Sequence, residues 1–325
     1  MATAKIKTIV IGSLNTDLII RGLNHFPKPG EHVYGKQFKI GPGGKSRNIA
    51  DMIAHLVEPS SVAMVSKTVK DPYNLWQQPV DALNRTGVNT EYVKILDEGK
   101  SSKMPSMVAI AVKKNGANQL YAVPGISEDF NPGDIDDAKM VFNKAAENRG
   151  YLVMTLECPI KTAEYAARKA KDLGIKVLLD PGGITPGTNI DKLLRSELFF
   201  LKPNEHEAKY ITGIDVTDAK SAAEAAKILL TFNIENVMIT VGNKGAYLFT
   251  EIAQKYIPVP RVKRSLDQDA TGCGDQTMAV FCVGLQDGLS IEKAAEMAVC
   301  AGTLQFNKIG IQPVTRDELR QFSKS

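Results

Sequence analysis

Cysteine and histidine are scarce. The chain has four of each in 325 residues. Cys158, Cys273, Cys282 and Cys300 form no Cys-x-x-Cys pair, and their spacing fits neither a zinc site nor a disulfide framework. His25, His32, His55 and His206 are scattered, so no structural metal is expected. No apolar run approaches the roughly 18 residues of a membrane-spanning helix, and the opening MATAKIKTIVIGSLNTD has no long apolar h-region. A cytosolic, reduced chain is the expectation. Charge of one sign is also lacking: 40 basic against 36 acidic residues leave +4, spread along the chain. That excludes a nucleic-acid arm or a polybasic membrane patch, and the expected partners are small molecules. Internal repeats and low-complexity linkers are absent.

What is there reads as an α/β protein. With 43% hydrophobic and 23% charged residues, the chain is an ordinary globular one, long enough for one large domain or two modest ones. The apolar run Thr8 to Ile11 stops at Gly12, as a buried strand does. Leu18 to Ile20 and Val33 to Ile40, around Pro27, Pro29 and Gly30, read as short strands. Residues 106–123 repeat that texture, with Asn115-Gly116 as a hairpin turn. Helical spacing from Ile49 to Val57 predicts a helix over 45–57. Beyond about 135 the pattern is regular: strands at Tyr151–Thr155, Lys176–Leu179, Leu198–Leu201 and Val237–Thr240 alternate with helices over 160–173, from Asn204, from Asp218 to Leu230, from Gly274 to about Gly284, and over 291–306. Asn204 and Asp218 are candidate N-caps, and Thr315-Arg-Asp-Glu318 is a capping box. This alternation predicts a mostly parallel sheet with helices on both faces, carrying a small β flap built from two separate stretches.

In such sheets ligands collect at the carboxyl ends of strands, beside helix N-termini. Three segments fit. Gly41-Pro-Gly-Gly-Lys-Ser46 is a glycine turn entering a helix; it is no P-loop, because Lys39 stands where that motif needs glycine. It is either a tight turn or a ligand loop. Asp269-Ala-Thr-Gly-Cys-Gly-Asp275 opens a helix with two glycines that let backbone N–H groups converge on an anion. There Asp275 is either a cap or a base for an attacking hydroxyl. Asn204-Glu-His-Glu207 is a polar helix start for which capping is the simpler role. No G-x-G-x-x-G follows the first strand, which disfavours an NAD-dependent dehydrogenase.

Taken together, Gly12-Ser-Leu-Asn15-Thr-Asp17, Pro29-Gly30-Glu31, Gly43-Gly44-Lys45-x-x-Asn48, Leu156-Glu157-x-Pro159, Pro203-Asn-Glu-His-Glu207, Ile239-Thr240-x-Gly242-x-Lys-Gly245, Asp269-x-Thr-Gly-x-Gly-Asp275 and Gly310-x-Gln-Pro313 occur in the order of the ribokinase-like (PfkB) carbohydrate kinases. The sequence resembles that family over nearly its whole length. The resemblance implies an α/β catalytic domain from 1–13, 41–99 and 125–325, and a β-sheet lid from 14–40 and 100–124 that closes over the sugar and pairs two subunits as a homodimer. It implies an ATP-dependent kinase acting on a hydroxyl of a pentose-type sugar. A nucleoside kinase, a 2-keto-3-deoxy sugar-acid kinase and an inactive sugar-binding relative are the alternatives.

By the same resemblance Asp275 is the catalytic base, and Gly272, Cys273 and Gly274 supply N–H groups to the transferring phosphoryl. Asn15, Asp17, Gly43, Gly44, Lys45, Asn48 and Glu157 bind sugar hydroxyls. Asn204, Thr240, Gly242, Gly245 and Gly274 hold ATP. Asn204 and Glu207 organise Mg2+ largely through water, and Asp269 with Thr271 forms part of a monovalent-cation (K+) site. The chain departs from the family pattern in Lys67–Tyr73, which lacks glycine, at Pro79 inside an expected helix, at Lys103–Ser106, at Val314, and at Cys273 in place of the common alanine. Cys273 reads either as a thiol activated by the helix N-terminus or as a packed stand-in for alanine.

Overall fold

The computed structural model describes residues 5–114, 116–262 and 268–322. Its main sheet grows from strands that are apolar on both faces, as parallel strands between two helix layers must be. β1 (Thr8–Ile11) lies third from one edge, with β4 (Val62–Val69) on one side and β8 (Tyr151–Thr155) on the other, both parallel. β5 (Val93–Leu96) adds outside β4. On the far side follow β9 (Lys176–Asp180), β10 (Phe200–Leu201), β11 (Asn236–Thr240) and the antiparallel pair β12 (Ala246–Thr250) and β13 (Gln254–Ile257). Among the described residues the order is thus β13-β12-β11-β10-β9-β8-β1-β4-β5.

The alternation of side chains sorts the core into two layers. Ile9, Ile11, Leu152 and Met154 face α3 (Pro132–Asp137), α4 (Lys139–Glu147), α5 (Ile160–Asp172), α7 (Glu205–Thr212) and α8 (Ala219–Leu230). The short α6 (Asp191–Leu194) joins them. Val10, Val153, Leu178 and Met238 face α1 (Lys45–Ala54), α2 (Gln77–Arg85), α9 (Cys273–Gln286), α10 (Ile291–Phe306) and α11 (Arg316–Phe322). On this second face Phe281 of α9 stacks on Phe200, with ring centroids 3.7 Å apart.

A separate sheet, ordered β3-β2-β6-β7, is made of β2 (Asn15–Leu23), β3 (Gln37–Gly43), β6 (Ser106–Lys113) and β7 (Asn118–Val123). Its faces are unlike. Asp17, Ile19 and Arg21 of β2 and Lys39 of β3 line a cleft. Leu18 pairs with Ile40 and Ile20 with Phe38, which places them on the opposite face.

Some expectations needed adjustment. The helix over 45–57 ends at Ala54, and β3 begins at Gln37 rather than Val33. Pro79 breaks nothing: α2 starts at Gln77, so the proline sits in the first turn, where no intrahelical N–H bond is lost. β5, β12 and β13 were not read from the sequence. The caps at Asn204 and Asp218 and the Thr315–Glu318 box form as expected. Asn115 of the expected hairpin turn lies outside the described residues.

Replacing Phe281 by alanine removes the buried stack and should lower unfolding free energy by about 3–5 kcal/mol in denaturant titrations. A loss below about 1 kcal/mol would mean that α9 is not anchored through this contact.

Candidate active site

The chain leaves β1 for β4 and β5, then returns to β8 on the other side of β1. The sheet order therefore reverses beside β1, and such a switch point opens a crevice at the strands' carboxyl ends. Gly12 follows β1, Glu157 lies just past β8, Asp180 ends β9, and Lys202 and Asn204 follow β10. Two helix N-termini are delivered to the same edge.

The first is α1. Gly44 caps it at φ +94°, a conformation L side chains rarely adopt, and a Cβ there would press on the Ser13 carbonyl. The second is α9, capped by Gly272 at φ +76°, where a Cβ would collide with Ile311. The two helices pack on one face, which brings Lys45 of the first turn of α1 to Asp275 of the first turn of α9. The Lys45 Nζ lies 3.4 Å from Asp275 Oδ1, and Asn48, one helical turn further along, donates from Nδ2 to Oδ2 at 2.8 Å. Asp275 is only 4% exposed, so these two donors, together with the helix N-terminus, hold a desolvated carboxylate in a fixed orientation. The negative neighbours Asp275, Asp180, Glu207 and Glu157 in turn push the Lys45 ammonium above its usual range, against the effect of burial.

The sugar-site candidates fall around this clasp. Glu157 Oε2 accepts from the Lys45 N–H and from Ser13 Oγ, both at 2.8 Å; burial raises this carboxyl despite Lys45 nearby. Asn15 pairs with Gly43 across β2 and β3, and Asp17 packs so closely over Gly43 that no side chain fits there. Burial pushes the Asp17 carboxyl up to about 6, with Arg47 opposing that rise and Glu157 adding to it. Under the β2–β3–β6 sheet runs a cleft of about 1490 Å³, walled by Asp17, Arg47, Lys39, Ile110 and the 268–271 loop.

Asn204 and Glu207 are engaged with each other. Asn204 Oδ1 accepts from the Glu207 N–H at 2.8 Å, and Glu207 Oε2 accepts from the Asn204 N–H at 2.9 Å. The nearby Asp180 adds to burial in raising the Glu207 carboxyl. Thr240 bridges to Asn204 at the end of β11, and Gly242 and Gly245 flank the following turn. His206 is exposed. Among the described residues no cluster of three His, Cys, Asp or Glu could hold a metal by itself.

Two candidates turn out otherwise engaged. Asp269 accepts from the Thr271 N–H and hydroxyl on one oxygen and from the Gly310 N–H on the other, while Gln305 donates to the Thr271 carbonyl. The oxygens named for a monovalent cation thus also accept from the chain's own donors. The Cys273 N–H reaches the Ala270 carbonyl at 3.3 Å, which turns it away from the helix-end cradle and leaves Gly274 better placed. Burial, then Asp269 and Asp275, push its thiol up to about 12, which favours the packed reading of this residue over the activated one.

Three residues escaped the sequence reading. Asp180 and Lys202 form a fully buried ion pair at 2.7 Å. Burial works against the Asp180 carboxylate, but Lys202 and Lys45 outweigh it and hold it low. Arg47, 2% exposed, donates to Asn48 Oδ1, Asp51 Oδ2 and the Pro42 carbonyl. A charged residue ending each of two neighbouring buried strands was the available signal for the first pair. Arg47 gave none, because its spacing is that of an ordinary helix position.

A model of the pfkB family of carbohydrate kinases matches residues 5–317. The chain belongs to that family. Among pfkB relatives, the ribokinase of Haemophilus influenzae is 30% identical over 315 residues, covering 96% of this chain and 97% of its own. The deoxyribokinase of Salmonella typhi is 30% identical over 303 residues, covering 93% of each. The solved structure of Arabidopsis thaliana ribokinase complexed with ribose and ATP superposes with a TM-score of 0.83 at 24% identity, covering 99% of this chain and all of that one. As a pfkB member the chain is a carbohydrate kinase. Among the described residues no helix is long and apolar enough to cross a membrane.

Asp17 should make sugar binding pH-dependent. A carboxyl near 6 is protonated below that pH and becomes the stronger hydroxyl acceptor above it. KM for the sugar is expected to fall as pH rises from about 5 to 7, and Asp17→Asn to flatten that dependence. An Asp17→Asn profile parallel to the parent's would locate the titration elsewhere.

Proposed function

We propose that this chain transfers the γ-phosphate of ATP to a hydroxyl of a pentose-type sugar, ribose or deoxyribose first, with Asp275 as the base. The observation that carries the reading is the clasp on Asp275. Its carboxylate is buried at a helix N-terminus, gripped by Lys45 and Asn48, at the edge where the sheet order reverses. The ribokinase and deoxyribokinase relatives, matched end to end, support the pentose class. The Arabidopsis structure, which carries ribose and ATP, shares the fold.

In the proposed reaction Asp275 takes the proton from the acceptor hydroxyl as its oxygen bonds to the γ-phosphorus and ADP leaves. The unsatisfied N–H groups in the first turn of α9, Gly274 foremost, face the charge that develops, and Lys45 adds a positive charge beside it. Asp17, Asn48 and Glu157 accept from or donate to sugar hydroxyls. Paired carboxylates and amides suit a polyol, whose every hydroxyl both donates and accepts.

The acidic residues fit a divalent cation. Asp275, Asp180, Glu207 and Glu157 surround the two ammonium groups of Lys45 and Lys202, leaving the cluster short of positive charge. Magnesium brought with the nucleotide would supply that charge on the phosphates, and Glu207 would hold it through water. No step here depends on potassium at the Asp269–Thr271 loop. Among the described residues Phe38 is the one aromatic at the cleft, and its pairing with Ile20 turns it to the sheet's outer face, so the cleft offers little aromatic surface for a nucleoside base as the acceptor's other half.

A second copy of the chain is the proposed partner. Ile20, Phe38, Ile40, Tyr121 and Val123 share the outer face of the small sheet, each 41–63% exposed, an apolar patch that a twin sheet would bury.

Two measurements test this. Asp275→Asn should lower kcat by roughly 10²–10⁴-fold while sugar binding by calorimetry stays within a few-fold; turnover near the parent's would remove the base assignment. Ile20→Glu should convert a dimer to a monomer in light scattering; an Ile20→Glu dimer, or a parent monomer, would place the partner elsewhere or nowhere.

A further inference from the structure

We propose that Arg47 is a positioning residue that acts on Asp275 through the side chain of Asn48. The inference rests on the reading of Asp275 as the base. Arg47 lies on α1 between Lys45, which touches Asp275, and Asn48, which also does. Its guanidinium is 2% exposed and donates from Nη2 to Asn48 Oδ1 at 2.5 Å and to the Pro42 carbonyl at 2.9 Å, and from Nη1 to Asp51 Oδ2 at 3.2 Å.

The chemistry of these groups fixes a direction. A guanidinium has only donors, so the end of the Asn48 amide that faces it must be the oxygen. The NH2 end is thereby turned to Asp275 Oδ2, an acceptor when ionised. Without Arg47, only Asp275 itself disfavours a half-turn of the Asn48 side chain about its last bond. Its carbonyl oxygen would then face the carboxylate oxygen, lone pair against lone pair. The arginine therefore selects the one amide orientation that supports an ionised, fixed base. Lysine at the same place would supply a charge but not the planar fork that spans Asn48, Pro42 and Asp51 together.

Pro42 gives the device a second consequence. It lies on β3 of the small sheet, opposite Thr16 of β2. The same guanidinium that orients Asn48 therefore grips the root of the strand that covers the cleft, and Asp17 on that sheet is close enough for Arg47 to affect its charge. Cover and base share one cation.

A positioning role and a packing role differ in kinetics. At about pH 9, where Asp17 is ionised with or without Arg47, Arg47→Gln should lower kcat roughly 10–100-fold with KM for the sugar changed less than about threefold, because what is lost is alignment of the base in the transition state. Arg47→Lys should recover part of kcat. In an Asn48→Ala background the same Arg47→Gln change should cost less than about twofold, since the intermediary is gone. Thermal unfolding is recorded for each variant. If Arg47→Gln does not fold, the comparison of Arg47→Lys in the two backgrounds answers the same question. Equal losses with and without Asn48, or a loss confined to KM, would overturn the proposal. Asp275→Asn separates the two layers of the argument. If that variant is impaired while the Arg47 and Asn48 effects simply add, the positioning role alone has failed; if it keeps its turnover, the base assignment has failed and the role of Arg47 falls with it.

Discussion

A carboxylate nearly cut off from water is the constraint around which this protein is arranged. Asp275 is 4% exposed, and a buried carboxyl needs fixed donors to replace its lost hydration. Lys45, Asn48 and the N-terminus of α9 do so, and they can meet only because α1 and α9 pack on the same face with their first turns together. Gly44 and Gly272 let the chain enter both helices at positive φ, at points where a side chain would strike neighbouring backbone or Ile311. The sheet supplies the rest: the order reversal beside β1 opens space at the strand ends, directly in front of both helices.

Around this centre charge is distributed unevenly. Four carboxylates surround two ammonium groups, and the carboxyls of Glu157 and Glu207 are pushed up by burial. In a resting protein that is a cost. In a kinase it suits a ligand that arrives with its own divalent cation and needs its phosphates oriented rather than merely attracted. The Asp180–Lys202 pair, buried between neighbouring strand ends, gives this acidic edge a second cation beside Lys45.

Much of this was legible in the residues. The strand Thr8–Ile11, the caps at Asn204 and Asp218 and the helix 291–306 follow from local chemistry that tertiary structure had no reason to override. The backbone of the candidate site was legible for a different reason: Gly43-Gly44-Lys45 and Gly272-x-Gly274-Asp275 are backbone requirements, and glycine announces those. What was hidden depended on contacts distant in sequence. Arg47 looks like any residue on a helix until Asn48 and Pro42 are seen beside it. The edge strand β13 and its neighbour β12 carry no strong alternation, and the opposite edge strand β5 is only four residues long. The thiol of Cys273 was open to two readings from its position at a helix N-terminus, and burial beside two carboxylates favours packing over activation.

The most direct test is a structure of the protein with its sugar and a non-hydrolysable ATP analogue. The account predicts one sugar hydroxyl within about 3.2 Å of an Asp275 oxygen and in line with the terminal phosphoryl group. A hydroxyl aligned with that phosphoryl but paired to Asp17 or Glu157, with Asp275 still closed off by Lys45 and Asn48, would contradict it.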